Sequence, residues 1–177
     1  VGGTNIFPTQ WHFENYIQAW NLANFGVLTM NSIYYAFFVV LGCIATATIS
    51  GYVFSRGNTA FTKVAYKLVL CSMFISIGTL ALYPQLTLAK SIGLSGTLWG
   101  PIIIRVFGMN ATQVFIATGN VSQIPKELDE AAKIDGCGFF RIFWNIIFPL
   151  LKPLVATIGL ISFRTAWSDY LLPYVFT

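Results

Sequence analysis

The sequence offers few side chains for catalytic chemistry, and these stand apart from one another. His12 is the only histidine, and the three cysteines are Cys43, Cys71 and Cys137. An odd number of cysteines, two of them inside apolar runs, does not resemble a disulfide framework, and roles as small packing residues suit them better. The sequence has no group of histidines, cysteines and carboxylates at metal-ligand spacing, and no phosphate-binding loop or nucleophile motif. We therefore predict no catalytic residue, no metal and no cofactor bound by this chain.

Composition points away from soluble proteins. Charged residues make up only 9% of the 177 residues, hydrophobic residues make up 56%, and the mean hydropathy is +0.70. An ordinary soluble domain carries about 25% charged residues. No charge lies between Glu14 and Arg56, or between Lys67 and Lys90. These features exclude a cytosolic enzyme, a disordered tail and a nucleic-acid-binding protein, and they predict a membrane protein with several spans in contact with lipid.

Four apolar stretches are long enough to cross a bilayer, because about 20 residues suffice. The predicted spans are residues 26–55, 64–88, 98–119 and 151–175. Small residues recur at four-residue intervals in the first span, at Gly42, Thr46 and Ser50, and they predict a helix-packing face. Seven Lys and Arg residues lie around the first and third links, whereas the second link has only Lys90. Because basic links stay in the cytoplasm, we predict that the first and third links are cytoplasmic.

The third link, residues 123–148, holds four of the six acidic residues. Pro125 suits the first turn of a helix, the acidic residues that follow suit the helix dipole, and Gly136 suits the left-handed residue after its end. A short cytoplasmic helix is therefore predicted, with Asp129 and Lys133 as an i, i+4 ion pair. The alternative is an amphipathic helix lying on the bilayer, but the acidic side chains favour a protein partner with basic groups.

The order of residues in this link is that of a known motif. Glu130-Ala131-Ala132 is followed after three residues by Gly136, and after nine more by Ile146-x-Phe148-Pro149. This spacing resembles the EAA loop of permease subunits of binding-protein-dependent ABC importers, which have Leu at the position of Phe148. Trp167-Ser168-Asp169-Tyr170-Leu171 and Phe13-Glu14-Asn15-Tyr16 are similar to segments of the carbohydrate branch, in particular of the maltose-type second permease. The resemblance covers nearly the whole chain.

The resemblance implies an all-α, polytopic permease fold of about six spans in the inner membrane of a bacterium or archaeon. Four spans are visible here, so the chain is expected to be a fragment. ATP and Mg would be bound by a separate cytoplasmic ATPase dimer, and this chain would not itself be an enzyme. The other implied partners are a second, homologous permease, an external solute-binding protein and a carbohydrate substrate.

The resemblance also implies a docking surface, because the EAA helix of the family enters a cleft of the ATPase. The corresponding residues are Glu127, Glu130, Ala131, Ala132, Asp135 and Gly136. Among them, Glu130 would meet a basic or backbone group of the ATPase, the two alanines would pack in the cleft, and the last two residues would shape the turn.

Polar side chains within the third and fourth spans are the candidates for a substrate path, since such groups are costly in a membrane and usually face a cavity or a partner. They are Arg105, Asn110, Gln113, Arg164 and Asp169. The family pattern is expected to be uncharged at the two arginines, so they are candidates to meet an anionic sugar such as a uronate oligosaccharide. The alternative is that Arg164 pairs with Asp169 or with an Asp of the second permease, and that Arg105 extends outward to the interface.

Two other functions remain open at this point. A stand-alone secondary transporter or channel would need its own ion-coupling site and would have no use for an EAA helix. An assembly or anchoring protein would have no transport path. Sugar import driven by a partner ATPase is the function that the motif favours.

Overall fold

The computed structural model describes residues 13–75, 78–108 and 110–176, so His12 lies outside the described residues. Every regular element within them is helical, which confirms the all-α prediction. The helices are α1 (Glu14–Leu22), α2 (Phe25–Arg56), α3 (Ala60–Ser72), α4 (Leu82–Ser91), α5 (Trp99–Phe107), α6 (Ala111–Ser122), α7 (Glu127–Ile134), α8 (Phe139–Ile142), α9 (Phe148–Leu150), α10 (Lys152–Trp167) and α11 (Leu171–Phe176). A 3₁₀ turn, Gly78–Ala81, precedes α4, and a π turn, Phe143–Ile147, joins α8 to α9.

Helix α2 is the central element of the molecule. Its 32 residues extend about 48 Å at 1.5 Å per residue, whereas the hydrocarbon core of a bilayer is about 30 Å thick. Helices α5, α6 and α10 all pack against it. It covers the predicted first span and is long and apolar enough to cross a membrane by itself.

The other three predicted spans are not single straight helices. Residues 98–119 correspond to the pair α5 and α6, which passes the same length and composition test only if the two are one bent span. The segments Phe139–Leu150 and Lys152–Trp167 form a second such pair, bent by 80°. Counting both pairs gives up to three spans among the described residues.

The predicted span 64–88 is divided between α3, which ends at Ser72, and α4, which begins at Leu82. Gly78, just before α4, has a φ of +58°, a conformation that interrupts a right-handed helix. The predicted span 151–175 is likewise divided, because α10 ends at Trp167. The count of four spans therefore stays a prediction.

Two glycines of α2 allow close approach of its neighbours. Gly51 is buried against α6, where an added methyl group would lie 2.7 Å from Ala117 Cβ and 2.9 Å from the Ala117 carbonyl carbon. Gly42 faces Val106 of α5, and a methyl group there would overlap its side chain. Part of the predicted small-residue face thus packs against a helix, which is how membrane helices associate without a hydrophobic driving force.

The second half of α2 packs into the largest apolar cluster, together with α6, α7 and the helical segment from α8 to α10. Its buried members are Ala47, Tyr52, Ala117, Val121, Ala132, Ile142, Phe143, Ile147, Leu151, Leu154 and Ile158. A second cluster surrounds the first half of α2, with Tyr35, Ala36, Val39, Cys43, Ile102 and Ala166. Each cluster adjoins one of the polar sites described below.

Gly51→Ala is expected to destabilise the protein by about 1–3 kcal/mol, because the new methyl group would press on the backbone of α6. Gly119→Ala is the matched control, since nothing lies within 4 Å of its added methyl group and alanine is the better helix former. Thermal unfolding of both variants in the same detergent measures the difference. An unfolding temperature for Gly51→Ala equal to that of Gly119→Ala would contradict the close α2–α6 contact.

Candidate functional site

Helix α7 lies in the predicted coupling segment and ends as the sequence predicts. Gly136 has a φ of +78°; its N–H donates to the carbonyl of Lys133 at 3.0 Å, and the N–H of Cys137 donates to the carbonyl of Ala132 at 2.9 Å. These two bonds form the Schellman motif, which satisfies the last carbonyl groups of a helix. The predicted start is too early, because the helix begins at Glu127, two residues after Pro125.

Asp129 does not form the predicted pair with Lys133, because it points inward from α7. It is only 4% exposed, and its carboxylate accepts hydrogen bonds from Tyr52 Oη at 2.8 Å and from Arg56 Nε at 2.9 Å. Arg56 Nη2 donates to the carbonyl oxygen of Ile124 at 2.8 Å. We call Tyr52, Arg56 and Asp129 the α2–α7 cluster. It joins the last turn of α2 to α7 and to the chain segment before α7.

The outer face of α7 carries most of the predicted docking residues. Those that are exposed are Glu127, Glu130, Ala131, Asp135 and Gly136. Ala132 differs from the prediction: it is 4% exposed and belongs to the chain's own apolar core. Because α7 has 3.6 residues per turn, neighbouring alanines point in different directions, and only the first of the pair is available to a partner.

The second polar site joins α2, α5 and the segment between α10 and α11. Arg105 Nε and Nη2 donate to Asp169 Oδ2 at 2.8 and 2.6 Å, and Tyr35 Oη donates to the same oxygen at 2.9 Å. The other carboxylate oxygen accepts from the N–H of Leu172 at 3.4 Å. Asp169 therefore stabilises the first turn of α11, a role typical of Asp at helix starts.

Asp169 and Arg105 lie at the wall of a cavity of about 370 Å³, which we call the polar cavity. Asn110 and Gln113 also line it, and Gln113 Nε2 donates to Ser162 Oγ at 2.8 Å. Four of the five predicted substrate-path residues are thus brought together. The remaining one, Arg164, is exposed and does not line this cavity.

The predicted alternative pairing of Arg164 with Asp169 is wrong, because Asp169 bonds to Arg105. The expectation that Arg105 extends outward to the interface stays a prediction. The sequence reasoning also missed four residues that hold the two sites: Tyr35, Tyr52, Arg56 and Ser162. One signal was available, since Tyr52 and Arg56 are four residues apart and therefore share a helix face. No comparable signal marked Tyr35 or Ser162.

Asp129→Asn is expected to destabilise the protein by about 3–5 kcal/mol, because it leaves the charge of a buried arginine without a partner; the Arg56 side chain is only 9% exposed. Glu127→Gln, on the exposed face of the same helix, is the control and should change the free energy of unfolding by about 0.5 kcal/mol or less. Denaturant unfolding in detergent measures both. Equal stability of the two variants would show that the α2–α7 cluster does not hold α7 in place.

Comparisons with known proteins concern the chain as a whole and identify its family. Residues 7–177 match the family described as binding-protein-dependent transport system inner membrane component. The melibiose/raffinose/stachyose import permease MelC of Bacillus subtilis is 36% identical over 166 residues, which are 93% of this chain and 60% of the relative. The galactooligosaccharides transport system permease GanQ of the same species is 30% identical over 172 residues, covering 96% of this chain and 60% of the relative.

One solved structure is also similar, that of a bacterial ABC transporter involved in the import of the acidic polysaccharide alginate. It matches with a TM-score of 0.73 and 25% identity, over 83% of this chain and 51% of that chain. This chain spans about 60% of the length of the two curated relatives. Because the family matches residues 7–177, nearly the whole length of the chain, the chain belongs to the inner membrane components of binding-protein-dependent transport systems.

Proposed function

We propose that this chain forms part of the transmembrane permease subunit of an ATP-driven oligosaccharide importer. We propose further that α7 couples this subunit to a cytoplasmic ATPase. The observation that carries the proposal is the division of α7 into two faces. Asp129 and Ala132 hold the inner face to the membrane helices, whereas Glu127, Glu130 and Ala131 are left exposed. A helix that is fixed on one side and exposes the carboxylates of Glu127 and Glu130 on the other can offer them to basic groups of a partner.

The coupling follows from the α2–α7 cluster. A movement of α7 cannot leave Arg56 behind without separating two buried charges, which costs several kcal/mol. Displacement of α7 by the ATPase would therefore be transmitted to the end of α2. The ATPase shifts the permease between its inward-facing and outward-facing states only if its contact with α7 differs in free energy between them.

The remaining partners follow from the family. ATP and Mg would bind to the ATPase dimer, a second homologous permease would complete the membrane path, and an external solute-binding protein would deliver the sugar. The importer would lie in the inner membrane of a bacterium or archaeon.

The polar cavity favours a neutral sugar over the anionic sugar considered from the sequence. The positive charge of Arg105 is balanced by Asp169 at 2.6 Å. The wall also carries the neutral amides of Asn110 and Gln113. An anionic ligand would have to compete with Asp169 for the guanidinium. Hydroxyl groups, in contrast, can both donate to and accept from amides and an ion pair. The names of the two curated relatives refer to oligosaccharides, and that of the solved neighbour refers to an acidic polysaccharide.

Glu130→Lys is expected to reduce ATP-driven uptake at least about tenfold, because it reverses a charge on the surface proposed to meet basic groups of the ATPase. Glu14→Lys is the matched control, since Glu14 is exposed on α1, outside the coupling link. Co-purification of the ATPase and sugar uptake into proteoliposomes are measured for both variants.

Loss of the ATPase with Glu130→Lys but not with Glu14→Lys supports the docking surface. Normal uptake and normal co-purification with Glu130→Lys would contradict it. Uptake by the unmodified protein that needs an ion gradient and no ATP would instead favour a stand-alone secondary transporter.

The charge state of the polar cavity is tested with paired variants. Arg105→Gln alone leaves the carboxylate of Asp169 without its charge partner, and we expect uptake of a neutral oligosaccharide to fall about tenfold. Adding Asp169→Asn removes that unpaired charge, so uptake by the double variant should recover much of the loss, as coupled neighbours do. If Arg105 itself binds an anionic sugar, the double variant will be as inactive as the single one, and uptake of a uronate oligosaccharide will show the same dependence.

A further inference from the structure

A second polar cavity lies beside the coupling helix, between the end of α2, the start of α3 and α7. Its volume is about 520 Å³, and we call it the basic cavity. Arg56, Lys63, Lys126 and Lys133 contribute four positive charges to its wall, and Asp129 and Glu130 contribute two negative charges. The fold brings lysines from two separate links together here. Lys63 lies in the first turn of α3, whereas Lys126 precedes α7 and Lys133 belongs to it.

The charges of this cavity are not balanced internally. Asp129 is already paired with Arg56 at 2.9 Å, so three lysines remain against Glu130 alone. If Glu130 is engaged by the ATPase, as proposed above, no free carboxylate is left to offset them. A concave wall with an excess of one sign of charge concentrates its field and attracts an ion of the opposite sign.

Two buried polar atoms at the same wall also lack partners. Arg56 Nη1 and Ser55 Oγ are buried and form no hydrogen bond with any group in the described part of the chain, and both residues line the cavity. A buried donor left unsatisfied costs about 1–3 kcal/mol, and more when it is charged. Because these two atoms are themselves buried, the donors that an oxyanion in the cavity can reach directly are the exposed ammonium groups of Lys63, Lys126 and Lys133.

We propose that the basic cavity binds a phosphate group, supplied either by the headgroup of an anionic phospholipid or by a soluble phosphate. A phosphate offers several acceptor oxygens and fits well within the volume. The cavity opens at the end of α2, and the positive residues of this link place that end on the cytoplasmic side. Phospholipid headgroups lie at the same level, and each nearby lysine adds to the attraction of an anionic headgroup. This placement rests on the orientation of the proposed permease.

The test removes the lysines of the cavity and compares the result with an equal loss of charge elsewhere on the same side. One variant carries Lys63→Gln, Lys126→Gln and Lys133→Gln. The control variant carries Lys67→Gln, Arg141→Gln and Lys152→Gln, three exposed positions that do not line the cavity. Glutamine removes the charge while it stays polar and similar in helix propensity, and thermal unfolding checks that both variants are folded.

Binding is measured on the assembled transporter in two arms. In the first, nanodiscs of phosphatidylcholine with phosphatidylglycerol are used, and native mass spectrometry counts the phosphatidylglycerol retained. In the second, nanodiscs of phosphatidylcholine alone are titrated with radiolabelled inorganic phosphate. We expect saturable binding in at least one arm, weakened at least about tenfold in the cavity variant and less than about twofold in the control.

The arm that shows the effect identifies the source of the phosphate group, since a lipid site retains phosphatidylglycerol and a soluble site binds inorganic phosphate. Equal behaviour of the two variants in both arms overturns the proposal. So does loss of the ATPase from the cavity variant without any change in phosphate or lipid binding, because the lysines would then be a contact for an acidic surface of that partner. Failure of the unmodified transporter to retain its ATPase counts against the proposed function alone, because both binding arms can still be read.

Discussion

A guanidinium and a carboxylate buried together at the end of α2 determine where α7 lies. Arg56 and Asp129 are 73 positions apart in the chain, and neither can be left in the apolar core without the other. A buried ion pair is weak evidence for stability, because apolar residues of similar volume are often as good. The effect of the Arg56–Asp129 pair is to fix the position and orientation of α7. Once Asp129 is fixed, only the opposite side of the helix is left exposed, and Ala132, three residues further on, is directed into the core.

The Arg105–Asp169 pair fixes the segment between α10 and α11 beside the first half of α2 in a similar way. Tyr35 donates to Asp169 there, and Tyr52 donates to Asp129 in the α2–α7 cluster. The two tyrosines are separated by 17 positions, or about 26 Å along a helix. One continuous helix therefore contacts both the coupling segment and the wall of the polar cavity. Because packed helices move as units rather than deforming continuously, we expect a displacement of α2 at the end that contacts α7 to shift Tyr35 as well.

The sequence predicts those features that depend on local patterns. The apolar run of α2 and the helix that ends at Gly136 are of this kind, because hydropathy, helix-dipole preferences and the left-handed conformation of glycine act over a few residues. The side-chain partners of Asp129 and Asp169 cannot be predicted in this way, because each lies more than 60 positions away in the chain. For Asp129 the local rule favours the wrong partner, because Lys133 has the spacing of an i, i+4 ion pair. Such an exposed pair stabilises a helix by only a few tenths of a kcal/mol, which is less than the buried contacts with Arg56 and Tyr52 contribute. The divided span 64–88 was missed for a related reason, because mean hydropathy records apolar length and is insensitive to a left-handed glycine such as Gly78.

The cost of the Arg105–Asp169 pair is itself informative about the polar cavity. Replacement of a partly buried ion pair by apolar residues is often neutral or stabilising, and this chain is otherwise sparing with charge, at 9% of its residues. Arg105 remains 38% exposed while Asp169 is 7% exposed, so the guanidinium is the member of the pair that a molecule in the cavity can reach. The pair carries no net charge, yet it offers donors on one side and a fixed carboxylate behind them. For the sugar path proposed above, such an arrangement would offer hydrogen bonds to hydroxyl groups without a net charge to retain an ion, which is what a path through a membrane requires of the groups that line it.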